Sequence, residues 1–210
     1  MTDTMQILDR LAKDFPSPKS ELHFENAFQL LVAVILSAQC TDKRVNLITP
    51  ALFACAPDAK SMAAMPVERL EQLIHSCGFY HSKARYLKEM SQDLLDRFGG
   101  QVPDSIERLR TLAGVGRKTA NVVYAVAFGG QAIAVDTHVF RVSNRLGIVD
   151  AKNVLDTEKQ LMQAIPQHMW ADSHHYLLLH GRYVCKAQRP LCNRCSVRDL
   201  CKTYAENDHE

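Results

Sequence analysis

Leu112-Ala113-Gly114-Val115-Gly116-Arg117-Lys118-Thr119-Ala120 joins two segments of helical periodicity through a turn that holds two glycines one residue apart. Glycine takes the positive φ that ends a helix and lets another backbone come close. The helix that follows begins with unpaired N–H groups, and these together with the helix dipole bind an anion such as a phosphate. A tight helix–helix connection is the plain alternative. Arg117 and Lys118, directly after the turn, favour the phosphate cradle, as does Val115, an apolar side chain expected to be exposed at the tip. Lys118 falls in the first turn of the second helix, where the positive dipole end disfavours an ammonium. With partial desolvation, a neutral amine becomes available there as a nucleophile.

The rest of the chain reads as helix as well. Apolar residues recur at helical spacing almost throughout, and no window alternates as a strand does, which predicts an all-α protein. Helices are expected at about 4–14, 25–39, 43–55, 67–75, 82–98, 105–112, 116–128, 137–146, 153–164 and 172–184. Asp104 with Glu107 behind Pro103 reads as a capping box, Asn153 as a helix cap, and Asp172 with Ser173 as the start of the last helix. Pro50, Pro57, Pro66, Pro103 and Pro166, with Gly99-Gly100 and Gly129-Gly130, mark breaks. The 210 residues are 47% hydrophobic and 23% charged, which excludes a disordered or collagen-like chain. The formal net charge is only +2, so binding to nucleic acid must come from local patches. Basic residues gather at Lys83, Arg85 and Lys88, and again at Arg182, Lys186, Arg189, Arg194, Arg198 and Lys202, where only Asp199 opposes them. The longest apolar run, Ala27 to Ala38, is too short for a membrane span and predicts a core helix. The N-terminus carries no basic region ahead of an apolar stretch, so a cytoplasmic protein with reduced thiols is expected.

Asp136, in Val135-Asp136-Thr137-His138-Val139-Phe140-Arg141-Val142, follows an apolar stretch and precedes a helical pattern, which is a helix N-cap position. Capping and catalysis are compatible there. A carboxylate held by backbone N–H groups and facing a glycosidic bond stabilises an oxocarbenium-like sugar or takes a proton from an attacking amine.

Four of the seven cysteines, Cys185, Cys192, Cys195 and Cys201, are separated by six, two and five residues. Such thiolates can converge on one centre, and the spacing leaves both Zn²⁺ and an iron–sulfur cluster open. Cys40, Cys55 and Cys77 have no metal-like spacing and read as core packing. His174, His175 and His180 lie on an apolar helix and read as buried, hydrogen-bonded histidines.

The hairpin, the Val-Asp-Thr-His-Val-Phe-Arg-Val stretch and the Cys-x6-Cys-x2-Cys-x5-Cys pattern together resemble the endonuclease III branch of the helix-hairpin-helix DNA glycosylases, from about Glu21 to Tyr204. The resemblance implies two helical domains, 22–132 and 1–21 plus 133–210, with DNA received in a cleft between them. It implies Lys118 and Asp136 as catalytic residues and a 4Fe–4S cluster on Cys185, Cys192, Cys195 and Cys201. Gly114, Val115, Gly116 and Arg117 would hold the DNA backbone. An enzyme acting on a base must rotate it out of the stack and fill the gap. The resemblance makes Gln39 the filler and Phe79 the wedge, with His81 beside them. On the residues alone, Gln39 can equally end its helix and Phe79 can be core. Ala113, Phe79 and His81 depart from the proline, leucine and asparagine frequent in the family, which bears on lesion preference and on the grip of the opposite strand.

The function implied is that of a bifunctional DNA glycosylase and abasic-site lyase that removes oxidised pyrimidines. Its partner would be double-stranded DNA carrying damaged pyrimidines or abasic sites, bound by a monomer without membrane association and in the nucleoid when on DNA. Two alternatives remain: a mismatch adenine glycosylase, which typically lacks a lysine at the position of Lys118, and a noncatalytic iron–sulfur DNA-binding protein.

Overall fold

Asn26 starts the helix around which one half of the chain packs: its side chain accepts the N–H of Gln29 at 2.9 Å. From Phe28 to Leu36 every residue is buried, because a helix apolar on all sides has no face for solvent. Complete burial of Leu30, Leu31 and Leu36 contributes roughly 1.5–3 kcal/mol for each side chain. The one polar residue in this run, Gln29, accepts the Glu25 N–H at 2.9 Å, so its burial leaves the amide oxygen satisfied.

The computed structural model describes residues 2–206. Among them are α1 (Thr2–Asp14), α2 (Ala27–Ser37), α3 (Asp42–Cys55), α4 (Ala59–Ala64), α5 (Val67–Ile74), α6 (Tyr80–Phe98), α7 (Ile106–Leu109), α8 (Arg117–Phe128), α9 (Thr137–Leu146), α10 (Val154–Ala164), α11 (Trp170–Tyr183) and α12 (Lys202–Glu206). Three single 3-10 turns occur, and no strand is present among the described residues. The protein is all-α. No helix among the described residues is long and apolar enough to cross a membrane.

The chain divides into two compact units, Ser20–Gly130 and Met1–Lys19 with Gln131–Glu210. Both boundaries lie two residues ahead of the expected 22 and 132. In the continuous unit, α2 packs against α3, α6 and α8, and α4 and α5 lie on α6. In the other, α9 packs on α10, α11 and α12, and α1 on α11. Its separate core joins Leu8 and Leu11 to Val139, Val142, Leu161 and Leu177.

Several local expectations are corrected. Pro50 does not break the chain but lies inside α3, which packing on α2 and α5 carries past the missing N–H. The cap of α7 is Ser105, whose hydroxyl accepts the Arg108 N–H at 3.3 Å, so Asp104 and Glu107 form no capping box. α11 starts at Trp170, ahead of Asp172, where the Trp170 indole N–H donates to the Ile165 carbonyl at 2.9 Å and a 3-10 turn leads straight in. Asn153 caps α10 as expected. The short α4 was not anticipated: six residues are too few to display a period, and a capping box of Asp58 and Ser61 starts it.

Two of the three basic residues gathered on α6, Lys83 and Lys88, are committed to helix ends rather than to solvent. Lys83 is buried and donates to the Leu36 carbonyl at 2.9 Å, closing the end of α2. Lys88 donates to the carbonyls of Ala63 and Met65 at the end of α4. Cationic donors on terminal carbonyls satisfy groups that helix geometry leaves unpaired. Replacing Lys88 with Met is therefore expected to cost about 1–3 kcal/mol in denaturant titrations. The same change at exposed Arg85 should stay within about 0.5 kcal/mol. Equal effects at the two positions would contradict the role given to Lys88.

Candidate nucleic-acid interface and thiol centre

The turn between α7 and α8 is fixed from below. Leu112 and Val115 are buried in the core of their unit, and the Val115 N–H bonds the Leu112 carbonyl at 3.2 Å. Val115 therefore points inward rather than sitting exposed at the tip, because its short turn folds back on Leu112. The Arg97 guanidinium donates to the Thr111 hydroxyl at 2.7 Å, and Asp93 accepts the Ala113 N–H at 3.2 Å, so α6 holds the approach to the turn at two points. Gly114 has φ +72, and a Cβ there would stand 2.8 Å from Cβ of Tyr86. Both the conformation and the close seat on Tyr86 demand glycine.

Gly116 differs from it. Its φ is −82, and an added Cβ would meet nothing within 4 Å. It caps α8 with no side-chain acceptor, so the first N–H groups of the helix are not closed by their own cap residue. Arg117 and Lys118 are the first two residues of α8, and both are exposed. Lys118 therefore stands open to an incoming ligand and is not desolvated by its own unit.

The same unit gathers Gln39, Phe79, Ser82, Lys83, Tyr86 and Gly114 around a depression of about 300 Å³. Gln39 does not end α2, which stops at Ser37; it lies beyond in a left-handed conformation, φ +51, and is exposed. Phe79 is also left-handed, φ +58, and 66% exposed, so it is not core. Two bulky residues in this sparsely populated region store strain of order 1–3 kcal/mol each. His81 turns aside, with its Nδ1 2.8 Å from a Glu71 carboxylate oxygen. Sequence reading missed Tyr86 and the inward course of Lys83. The spacing 79, 82, 83, 86 is one helical face, and that signal could have found them.

In the other unit, Asp136 caps α9, its Oδ1 accepting the N–H groups of His138 at 2.9 Å and Val139 at 2.8 Å. The carboxylate is thereby oriented, and it is half-buried. One and two turns further on, α9 holds the start of the cysteine segment. Arg141 donates to the carbonyls of Gly181 and Cys185 at 2.9 and 3.0 Å, and Arg145 donates to the Lys186 carbonyl at 2.7 Å with its guanidinium 3.6 Å from the Cys185 sulfur. These two arginines were not singled out from the sequence, although their i, i+4 spacing behind Asp136 puts them on one face.

Cys185, Cys192, Cys195 and Cys201 line one pocket, with His180, Arg198 and Tyr204. Cys192 opens a 3-10 turn, and Cys195 and Cys201 each follow one. Burial pushes the Cys195 thiol up to about 11 and raises that of Cys201. His180 Nε2 lies 3.7 Å from the Cys195 sulfur, and burial lowers this imidazole to about 4. Among the described residues, no three His, Cys, Asp or Glu side chains form a site for a single metal ion. His174 and His175 are buried, and the Nδ1 of His175 is 2.9 Å from the Ala171 carbonyl. Cys77 is buried, but Cys55 is exposed at the last position of α3 rather than packed in the core.

Residues 32–167 match the model of the HhH-GPD superfamily base excision DNA repair proteins. Endonuclease III of Bacillus subtilis is 48% identical over 202 residues, covering 96% of this chain and 92% of its own. The Haemophilus influenzae endonuclease III is 44% identical over 201 residues, covering 96% and 95%. This chain belongs to the endonuclease III family. A solved endonuclease III, trapped as a covalent intermediate with DNA, matches with a TM-score of 0.93 at 47% identity over 97% of this chain and 96% of that one. A thermostable thymine-DNA glycosylase, at 22% identity and a TM-score of 0.89, shares the fold.

In this endonuclease III family member, the two hairpin glycines should separate in a stability assay. Gly114→Ala is expected to destabilise by about 1–3 kcal/mol, from positive φ and overpacking. Gly116→Ala should change stability by less than about 0.5 kcal/mol. Thermal or denaturant melts check both, and a reversed order would contradict the geometry of the turn.

Proposed function

We propose that this member of the endonuclease III family is a bifunctional DNA glycosylase and abasic-site lyase of base excision repair, acting on oxidised pyrimidines in double-stranded DNA. The observation that carries this reading is Lys118, exposed in the first turn of α8 directly behind the Gly114–Gly116 turn. It stands in a chain 44–48% identical to curated endonuclease III proteins over almost its whole length. A mismatch adenine glycosylase would not be expected to place a lysine there.

The first N–H groups of α8 receive a phosphate, with Gly116 leaving room for the DNA backbone and Arg117 adding charge. Gln39 fills the space of the extruded nucleotide and Phe79 wedges between bases. The Lys118 amine attacks C1′ as the bond from C1′ to the damaged base breaks, and the departing base takes up a proton from solvent. Asp136, oriented by its two backbone bonds, stabilises positive charge at C1′ and accepts the proton lost by the amine. The sugar ring opens to a Schiff base, loss of a C2′ proton expels the 3′ phosphate, and water releases the lysine.

A 4Fe–4S cluster on Cys185, Cys192, Cys195 and Cys201 fits the donor set, since four soft thiols share one pocket and Arg145 places positive charge at Cys185. Bound there, it would cross-link the segment and present Lys186, Arg189, Arg194 and Arg198, all exposed, to phosphates. We place the enzyme in the cytoplasm, working as a monomer.

Borohydride should trap the wild-type protein on abasic DNA, and Lys118→Ala should abolish the adduct. A wild-type protein that never traps defeats the proposal. Asp136→Asn keeps an equally good cap, so the melting curve should hold while base release slows by roughly 10²–10⁴-fold. An unchanged rate would remove Asp136 from the chemistry. Gly116→Ala should weaken binding to abasic duplex without loss of stability. Iron and acid-labile sulfide should be present together and be lost together in Cys192→Ser, whereas stoichiometric zinc would contradict the cluster.

A further inference from the structure

Cys40 and Cys77 are 37 residues apart in sequence, yet their sulfurs lie 3.5 Å apart, with Cys40 half-buried and Cys77 buried. Each flanks one of the two strained loops. Cys40 directly follows Gln39, and Cys77 is separated from Phe79 only by Gly78. The loops are also in contact through backbone, since a Cβ on Gly78 would stand 3.3 Å from the Gln39 carbonyl oxygen. Neither thiol belongs to the four-cysteine pocket or to the chemistry described above.

We propose that Cys40 and Cys77 are an oxidisable dithiol that closes to a disulfide and ties the Gln39 loop to the Phe79 loop. The oxidant is a small peroxide. Cys40, the more exposed thiol, attacks one peroxide oxygen; the O–O bond breaks, Cys40 becomes a sulfenic acid, and the other oxygen leaves as water or an alcohol. The Cys77 sulfur then attacks the Cys40 sulfur, the S–O bond breaks, and the hydroxide leaves as water with the Cys77 proton. The two thiols give up two electrons to the peroxide. Burial raises the Cys77 thiol to about 12, which disfavours its direct attack on the oxidant, and its place 3.5 Å from the Cys40 sulfur makes it the resolving thiol.

A disulfide needs the sulfurs at about 2.05 Å, so they must close by roughly 1.5 Å, and the loops that carry them take up what side-chain rotation does not. The contact of Gly78 with Gln39 leaves little slack, and Gln39 and Phe79 are already at positive φ. Closing the bond therefore displaces side chains that the proposed function assigns to the opened duplex, and the consequence for DNA, though not the bond itself, rests on that reading. The oxidised enzyme engages an abasic site less well, and a thiol reductant restores it.

The test treats the cluster-loaded protein with a small excess of peroxide, alkylates the remaining thiols and maps peptides by mass spectrometry. The expected product is a peptide pair linked through Cys40 and Cys77 and released by dithiothreitol, with a dimedone-reactive Cys40 accumulating in Cys77→Ser. Oxidation of exposed Cys55 while Cys40 and Cys77 both stay alkylatable overturns the proposal. In parallel, affinity for a duplex with a non-cleavable abasic analogue should fall about tenfold on oxidation of the wild type but not of Cys40→Ser. A disulfide that forms without changing affinity overturns the link between the loops and DNA. A reduced protein that does not bind this duplex defeats the proposed function instead, and the peptide map alone then decides the disulfide.

Discussion

The seat of Gly114 on Tyr86 is the contact on which the proposed chemistry depends. It brings the backbone of the turn against α6 at a place no side chain could occupy, and Val115 next to it is drawn into the core. With the turn fixed on that side, α8 starts in a determined direction. Its first residues, Arg117 and Lys118, are exposed, while Ala120 and Val123 are buried on the inner face. A looser turn would let the first residues of α8 fray, and a phosphate held there would no longer fix the distance from the sugar to the amine. The α6 residues Asp93 and Arg97 brace the same turn, so one long helix supports both the hairpin and, at its N-cap, Phe79, the side chain proposed as the wedge.

A similar economy of parts holds around α9. Its first residue is capped by the carboxylate proposed for catalysis, and Arg141 and Arg145 anchor the chain at Cys185 and Lys186. Cap and cysteine segment thus share a single rigid element. Loss of the cysteine segment would be felt at Asp136 through packing rather than through any direct bond.

Much of this was legible in the sequence because the signals are local. The apolar run at Ala27–Ala38 could only be a buried helix, and Asp136 and Asn153 sit where a cap must be. Where local rules misled, a tertiary contact or a competing neighbour decided. Pro50 is carried through α3 by packing, and Ser105 outcompeted Asp104 by one residue. A lysine on a helix face reads as solvated, and nothing within α6 says that Lys83 and Lys88 close the ends of α2 and α4. Val115 was misplaced because the turn folds back on Leu112. The pairing of Cys40 with Cys77 is invisible in sequence, since nothing in the 37-residue separation indicates which loops meet.

The central claim is that the Lys118 nitrogen bonds to deoxyribose. Mass mapping of the borohydride-reduced protein–DNA adduct tests it most directly, because it identifies the modified residue rather than the fact of modification. The account predicts a sugar remnant on Lys118 and on no other amine. A remnant on the N-terminal amine or on a different lysine would contradict it.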